Sequence, residues 1–372
     1  MKLGILISNT SNINDRNYYN VQEIGLAKGL SEFFEKIFIF KLVKTITEIE
    51  YQVIQQNISI VYIKANRIGD NGIFNPNKLN MDIDILIHSA DTQLCVPYIF
   101  KWAQKNKIRY IPYIGVTRSH SESRFKAAII NTHFKRNIEV YKKCKCMVKT
   151  TGVYRKLLND GVNNMCILPV GLNQELLNND YRSVESFYLK KLLGYSKNDK
   201  IILFVGRMVE EKRPLDLIDL FECIVKRDSS YCLIMIGDGK QRLNVIDKIR
   251  EKKLEKKVRV IERVLNKDIW RFYRASDAVV NLNKNEIFGM TILEAMFYEC
   301  KVIAWRAPGP EFIIENQKSG FIVDSFDEIK EVLFCNKSNV GLEAHNRILR
   351  KFTWNCIAED VHRYITEAHD ER

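Results

Sequence analysis

Long hydrophobic runs are missing from this 372-residue sequence. Apolar stretches reach only about five residues, as in IILFV at 201–205, whereas a membrane-spanning helix needs roughly 20. No segment is therefore expected to span a bilayer. No secretory leader is expected by the same measure. The opening MKLGILISNTSN has one Lys and a short apolar stretch, against the about 7–15 apolar residues and small-residue cleavage site of a signal peptide. It reads as the first strand of a sheet, and the chain is expected to stay in the cytoplasm. Glycine and proline are sparse, at 17 and 7, which excludes collagen-like and low-complexity linker chains. With 46% hydrophobic and 28% charged residues, a disordered chain is excluded too. Disulfide logic is also absent. The nine cysteines are odd in number and mostly isolated in apolar stretches, such as Cys95, Cys166, Cys232 and Cys300. The one close pair, Cys144 and Cys146, is a C-x-C, and nothing recurs at zinc-finger spacing. Reduced, buried thiols are expected.

What remains is globular material for about two domains. Short β-branched runs alternate with helical patterns. Strands are predicted at 3–8, 36–42, 59–64, 83–89, 110–115, 146–151 and 166–171, then at 201–206, 232–237, 258–261, 278–282, 301–305 and 320–323. Helices are predicted between them, for example at 20–34, 93–106 and 122–143. Strands apolar on both faces and separated by helices imply parallel sheets covered on each side. Two such series imply an α/β protein of two doubly wound, Rossmann-like domains. The polar stretch 173–199 marks the break, which gives domains at 1–180 and 190–350 and a further helix at 355–370.

The net charge of +13 sits in one band. Between Lys101 and Lys156 there are fifteen basic residues against Glu122 and Glu139 alone, so the rest of the chain sums to zero. A helix there is predicted to carry an apolar stripe of Phe125, Ala128, Ile129, Thr132, Ile138 and Tyr141. Arg124, Lys126, Lys135, Arg136, Lys142 and Lys143 are interleaved with it. Such a helix is either an ordinary surface helix or a contact for an anionic ligand or, through 118–145, an anionic membrane. No nucleic-acid motif is present, and nucleic acid is not expected as a partner.

Chemistry concentrates after the strands of the second half, where doubly wound folds bind ligands. Gly206 and Arg207 end the strand IILFV, and Lys212 follows five residues later. A guanidinium fork and an ammonium suit the two phosphates of a diphosphate. Asp238-Gly239 makes the next strand-end turn, and Arg263 and Val264 follow VRVI. The richest stretch is NKNEIFGMTILEAM. It places Glu286 in a loop, then Phe288, Gly289, Met290 and Thr291 at a helix start, then Glu294 inside that helix. A helix start offers unpaired amides to an anion, and a carboxylate such as Glu294 can accept from ribose hydroxyls.

This ordered series, with PGPEFIIENQKSGFIV after it, resembles the donor half of retaining glycosyltransferases of family 4 from about 200 to 325. The resemblance implies the GT-B fold, with two Rossmann-like domains facing across a cleft and the C-terminal helix returning to the first. It implies that Arg207 and Lys212 bind the diphosphate and stabilise it as leaving group. The backbone near Arg263 and Val264 would meet the base. Glu286 would hold sugar hydroxyls, amides at Phe288, Gly289, Met290 and Thr291 would meet sugar and phosphates, and Glu294 would bind ribose. Cations in that position stabilise the developing charge, so no metal is expected. The D-x-D at 82–84 leads straight into a strand and reads as its start.

Departures from the family bear on the acceptor side and on the sugar preference. The segment SNTSNINDRNYYNVQE stands where many relatives have a glycine-rich loop. It also lacks the G-x-G-x-x-G of a dinucleotide-binding dehydrogenase. The family's His after the fifth strand is displaced, leaving His120 as the candidate to reach the sugar, while His88 reads as a core residue. Asn281 to Asn283 replaces a commoner Pro-Ser, and Glu299 a small residue. The resulting expectation is a transferase moving a sugar from a nucleotide-diphosphate donor, a UDP sugar, to a glycan or polyprenyl-linked glycan at the membrane's cytoplasmic face. Alternatives are a nucleotide-sugar epimerase of the same fold and a non-catalytic, glycosyltransferase-like binding subunit.

Overall fold

The computed structural model describes residues 1–9, 22–44, 46–68, 71–79, 81–117, 124–334 and 340–367. It divides into two compact units. The first runs to Gly171 and resumes at Trp354; the second is Leu172–Thr353.

The first unit contains β1 (Lys2–Ile7), β2 (Lys36–Val43), β3 (Glu50–Gln55), β4 (Ile58–Lys64), β5 (Asn66–Ile68), β6 (Asn71–Ile73), β7 (Ile85–Ser89), β8 (Arg109–Ile114), β9 (Cys146–Val148) and β10 (Met165–Ile167). Its helices are α1 (Gln22–Gly29), α2 (Val96–Lys105), α3 (Arg124–Tyr141) and α4 (Thr151–Asn159). Eight strands form one sheet in the order β10-β9-β8-β7-β1-β2-β4-β3. The central strands are parallel and buried on both faces, as the runs at 36–42 and 59–64 imply. β3 is the exception. It pairs antiparallel with β4 at the sheet edge and is mostly exposed. An edge strand has one neighbour and no need of a two-sided apolar run, so EYQVIQ gave no strand signal. β5 and β6 form a separate antiparallel ribbon.

Three sequence-based expectations change here. The buried face of α3 is Phe134, Asn137, Val140 and Tyr141, while Thr132 is exposed and Ile138 half-buried. The face is rotated because polar groups anchor it: Asn137 Nδ2 donates to Gln93 O at 2.9 Å, and Tyr141 OH donates to Asp91 O at 2.8 Å. The side chains of Phe125, Ala128 and Ile129 lie outside the described set. Second, Cys223 and Cys356 are exposed, unlike the buried Cys95, Cys144, Cys146, Cys232 and Cys300. Both lie on helices that turn one face to solvent. Third, the basic band is partly internal. Lys145 is buried and donates to Tyr364 O and Glu367 O. Lys135, Arg136, Lys142 and Lys143 are exposed, with Lys142 paired to Glu139 at 2.7 Å.

Asp82 and Asp84 of the D-x-D are engaged at the strand start. Lys2 Nζ reaches Asp82 at 2.7 Å, and the Lys2 amide donates to Asp84 at 2.7 Å. His88 is a core residue, with Ser8 Oγ at 2.9 Å from Nε2 and Tyr110 OH at 2.6 Å from Nδ1. Burial lowers its pKa to about 3.

The second unit contains β11 (Lys200–Val205), β12 (Tyr231–Ile236), β13 (Val258–Ile261), β14 (Ala278–Asn281), β15 (Lys301–Trp305) and β16 (Phe321–Val323). Its helices are α5 (Ser186–Leu192), α6 (Pro214–Arg227), α7 (Arg242–Glu251), α8 (Ile269–Ala275), α9 (Met290–Phe297), α10 (Pro308–Ile313), α11 (Phe326–Phe334) and α12 (Val340–Lys351). The sheet is parallel throughout, in the order β13-β12-β11-β14-β15-β16. Its order reverses between β11 and β14. One face packs β11, β12 and β14 against α6, α7 and α11 through Ile202, Phe204, Phe221, Leu233 and Ile329.

The unit border at 171/172 precedes the expected 180 and 190. The polar stretch 173–199 is not a free linker. Tyr181 is buried against Phe297 and Tyr298, and Lys190 Nζ donates to Asp199 O and Asp277 at 2.7 and 2.8 Å. Its Asn, Asp and Lys content serves caps and ion pairs. After Thr353 the chain rejoins the first unit as α13 (Trp354–Thr366). A Cβ on Gly29 would sit 3.0 Å from Trp354 O, so glycine permits this approach. Arg109 donates to the terminal carbonyls of Ile365 and Thr366, where cations are favourable. No helix among the described residues is long and apolar enough to cross a membrane.

Candidate functional site

The site of the second unit is built on backbone contact between strand ends. β11 stops at Gly206 (φ +154°) and β12 at Gly237 (φ +145°). A Cβ on Gly237 would lie 1.9 Å from Gly206 O, so only glycine allows these loops to touch. Met208 then donates its amide to Asp238 O at 2.8 Å and accepts from Gln241 N at 2.9 Å. The chain continues as a 3-10 turn, Glu210–Lys212, with Arg213 in the left-handed region at φ +54°. Pro214 opens α6, where its missing N–H costs nothing.

The loop after β14 is shaped by alternating asparagines. Asn281 Oδ1 accepts from Asn283 N at 3.0 Å, and Asn283 Oδ1 from Asn285 N at 2.9 Å. These successive Asx turns fold the chain back on itself. Both side-chain amides then donate to Glu286 Oε2, at 3.1 and 3.4 Å. Lys212 Nζ donates to the same oxygen at 2.5 Å. Lys212 and Glu286 are only 21% and 12% exposed. The Glu286 carbonyl accepts from Gly309 N at 2.8 Å.

Gly289 (φ +105°) turns the chain into α9. A Cβ there would meet Ile292 at 2.9 Å and Glu286 Cγ at 3.4 Å. The structure thus gathers Lys212, Glu286 and Gly289. The amides of Phe288, Met290 and Thr291 belong to the same loop-to-helix turn. Glu294 follows on α9 and accepts from Tyr273 OH at 2.8 Å. Part of its surface stays accessible, yet desolvation of the carboxyl raises its pKa to about 7.

Arg207 is not gathered with them. It is 69% exposed and pairs with Glu211 at 3.0 Å, one residue from Lys212. Arg263 is exposed and Val264 half-buried after β13, at the same sheet end. His120 lies outside the described residues. Gly115, at the end of β8, donates with Val116 to Asp91 Oδ1 at 2.6 and 3.0 Å.

Sequence reasoning treated Asn281 and Asn283 only as a departure, although they hold Glu286. The available signal was the N-x-N-x-N alternation directly before the glutamate. Tyr273, the partner of Glu294, carried no local signal because it is 21 residues away.

Lys212 and Glu286 follow β11 and β14, the two strands at which the sheet order reverses. That is where open α/β sheets take their ligands. Residues 189–333 match the family model described as glycosyl transferases group 1. This part of the chain is a group 1 glycosyl transferase domain.

Alpha-monoglucosyldiacylglycerol synthase of Acholeplasma laidlawii is 27% identical over 218 residues, 57% of this chain and 53% of that protein. Amylovoran biosynthesis glycosyltransferase AmsD of Erwinia amylovora is 27% identical over 131 residues, 35% of this chain and 36% of that protein. The chain thus matches about half or less of these relatives' length. Among solved structures, HepE of Anabaena in complex with UDP and glucose superposes with a TM-score of 0.74 at 15% identity, covering 99% of this chain and 100% of that one. The chain as a whole has the GT-B fold, two Rossmann-like domains. The group 1 domain contains no cluster of three His, Cys, Asp or Glu side chains suited to a metal among its described residues.

Proposed function

We propose that this protein is a retaining glycosyltransferase of family 4 that moves a sugar from a nucleoside-diphosphate donor, a UDP sugar, to a glycan or lipid-linked glycan. The observation that carries the reading is the Lys212–Glu286 contact at the strand-order reversal, inside the matched domain. A cation and a carboxylate 2.5 Å apart offer adjacent recognition of a phosphate and of sugar hydroxyls.

In the proposed reaction the bond between the anomeric carbon and the diphosphate oxygen breaks. The diphosphate leaves with the electron pair, and an acceptor hydroxyl adds to the same carbon and releases its proton. Lys212 meets the charge that grows on the leaving oxygen, with Arg207 swinging in from its exposed position. An interaction stronger in the transition state than in the ground state is what accelerates the step. Side-chain cations here do the work of a metal, and none is part of the proposal. Glu294 and the backbone at Arg263 and Val264 take the nucleoside.

Family 4 and retention are supported by the kinds of relatives matched, a glucosyldiacylglycerol synthase among them. The UDP assignment is supported by the HepE complex. A membrane-borne acceptor agrees with the exposed Lys135, Arg136, Lys142 and Lys143 of α3. The test is a thermal-shift panel of nucleotide sugars, since a ligand of the native state raises stability, followed by donor hydrolysis and transfer assays. A UDP-sugar response with turnover supports the reading. The absence of both rejects it, and conversion of donor alone into an epimer replaces it.

A further inference from the structure

Lys212 and Glu286 are each followed or preceded by a cation that turns to the same indole. Arg213 lies directly after Lys212, and its guanidinium carbon sits 4.8 Å from the Trp305 ring centroid. Lys284 lies two residues before Glu286, and its Nζ sits 4.5 Å from that centroid. Trp305 ends β15 and is itself only 7% exposed. Phe326 packs edge-on against it at 5.2 Å and receives the Arg213 guanidinium at 5.2 Å. The loops after β11 and β14 are therefore joined twice, once by the Lys212–Glu286 pair and once through this ring.

Arg213 is arranged for that contact at some cost. Its backbone is left-handed, a region that a side chain with a Cβ disfavours. Its Nε donates to Asp216 at 2.6 Å, while Nη1 is buried without a hydrogen-bond partner. A guanidinium in this state gains from the face of an aromatic ring. The hydrogen bonds to the Glu286 carboxylate come from Lys212, Asn281 and Asn283, so Arg213 and Trp305 act on it through other residues.

We propose that Trp305 is a positioning residue for the donor site, which sets the Lys212–Glu286 separation by docking Arg213 and Lys284 on one indole. The proposal rests on the donor reading given above. It adds a specificity of geometry to the site and no new chemical step. Without the indole, the 3-10 turn carrying Lys212 loses its anchor, and the ammonium no longer stands where the diphosphate needs it.

The experiment is a calorimetric titration of the full-length chain with UDP, run as a double-mutant cycle. Arg213→Gly keeps the left-handed backbone without strain and removes only the side chain. Folding of every variant is checked by circular dichroism and melting temperature. Lys212→Ala in the native background is expected to weaken UDP binding at least about tenfold, the scale of a lost charge-assisted contact. In the Arg213→Gly background the same change is expected to cost less than about twofold, because residues that act through one another are not additive. Trp305→Leu should behave like Arg213→Gly, while Trp305→Phe and Arg213→Lys, which keep a ring or a cation, should recover part of the affinity. A residue that merely stabilised the fold would leave the cost of Lys212→Ala unchanged in both backgrounds. Additive losses, or native UDP affinity in folded Arg213→Gly and Trp305→Leu, overturn the positioning role while leaving the donor reading intact. Failure of the native chain to bind UDP overturns the donor reading, and this proposal with it.

Discussion

Lys212 Nζ and Glu286 Oε2 lie 2.5 Å apart, from loops that follow adjacent strands of one sheet. Both groups are proposed to meet the donor, and on that proposal the pair is a resting arrangement that the donor enters and shares. Replacing Lys212 by Ala leaves Glu286 with Asn281 and Asn283 as partners, so the fold is expected to survive. Turnover of the donor should fall by about 100-fold or more, the scale seen when a charge-stabilising group is removed. Glu286→Gln should act likewise. Steady-state rates beside melting temperatures check both, and native rates in folded variants would remove these residues from the mechanism.

Glu294 gives the second unit a stability that depends on pH. Burial raises its folded pKa to about 7 from an ordinary 4.5, so the folded state holds the proton more tightly than the unfolded chain. Its contribution is complete below about pH 4.5 and is lost as pH rises towards about 7, by at most about 1.4 kcal/mol per unit. Glu294→Gln removes this loss. Urea midpoints at pH 5 and 8 should show the variant gaining on the native chain at the higher pH. Parallel shifts at both pH values would contradict the burial argument.

His88 works in the opposite sense in the first unit. Its folded pKa of about 3 lies below the ordinary 6.5, so the unfolded chain takes up the proton first. The stability it contributes is present above about pH 6.5 and is lost as pH falls towards 3. His88→Gln, which stays neutral, should flatten the fall in urea midpoint between pH 7 and pH 5. It should lower the midpoint at pH 7, because Ser8 and Tyr110 lose their ring partner, at about 1–3 kcal/mol for a stranded buried group.

The contact between Gly237 and Gly206 predicts a severe substitution far from any charge. Gly237→Ala places a methyl group 1.9 Å from a carbonyl oxygen, and the backbone must move. The loop carrying Arg207 moves with it. Loss of both melting temperature and UDP affinity is expected, and an unchanged melting curve would contradict the geometry.

The sheets were legible because their central strands are apolar on both faces, as in KIFIFKL and IILFV. The strand β3 was not, because an edge strand needs only one neighbour. Of the candidate site, the nearness of Lys212, Glu286 and Gly289 was legible, because each follows the end of a buried strand. Trp305, Tyr273 and Asp91 were not, since each meets its partner across the fold and leaves no local pattern. The face of α3 was misjudged because Asn137, a polar residue, lies on its buried side and satisfies a carbonyl of the preceding helical segment's loop. The border near 172 was misplaced because polar composition reads as solvated chain even when, as with Lys190, the polar groups are paired.

The most direct test of the account is calorimetric titration of the native chain and its Lys212→Ala variant with UDP at one salt concentration. Saturable binding to the native chain, weakened at least about tenfold in the folded variant, is the expected result. Equal affinity in the two proteins, or no binding by the native chain, would contradict the claim that this ammonium holds a diphosphate.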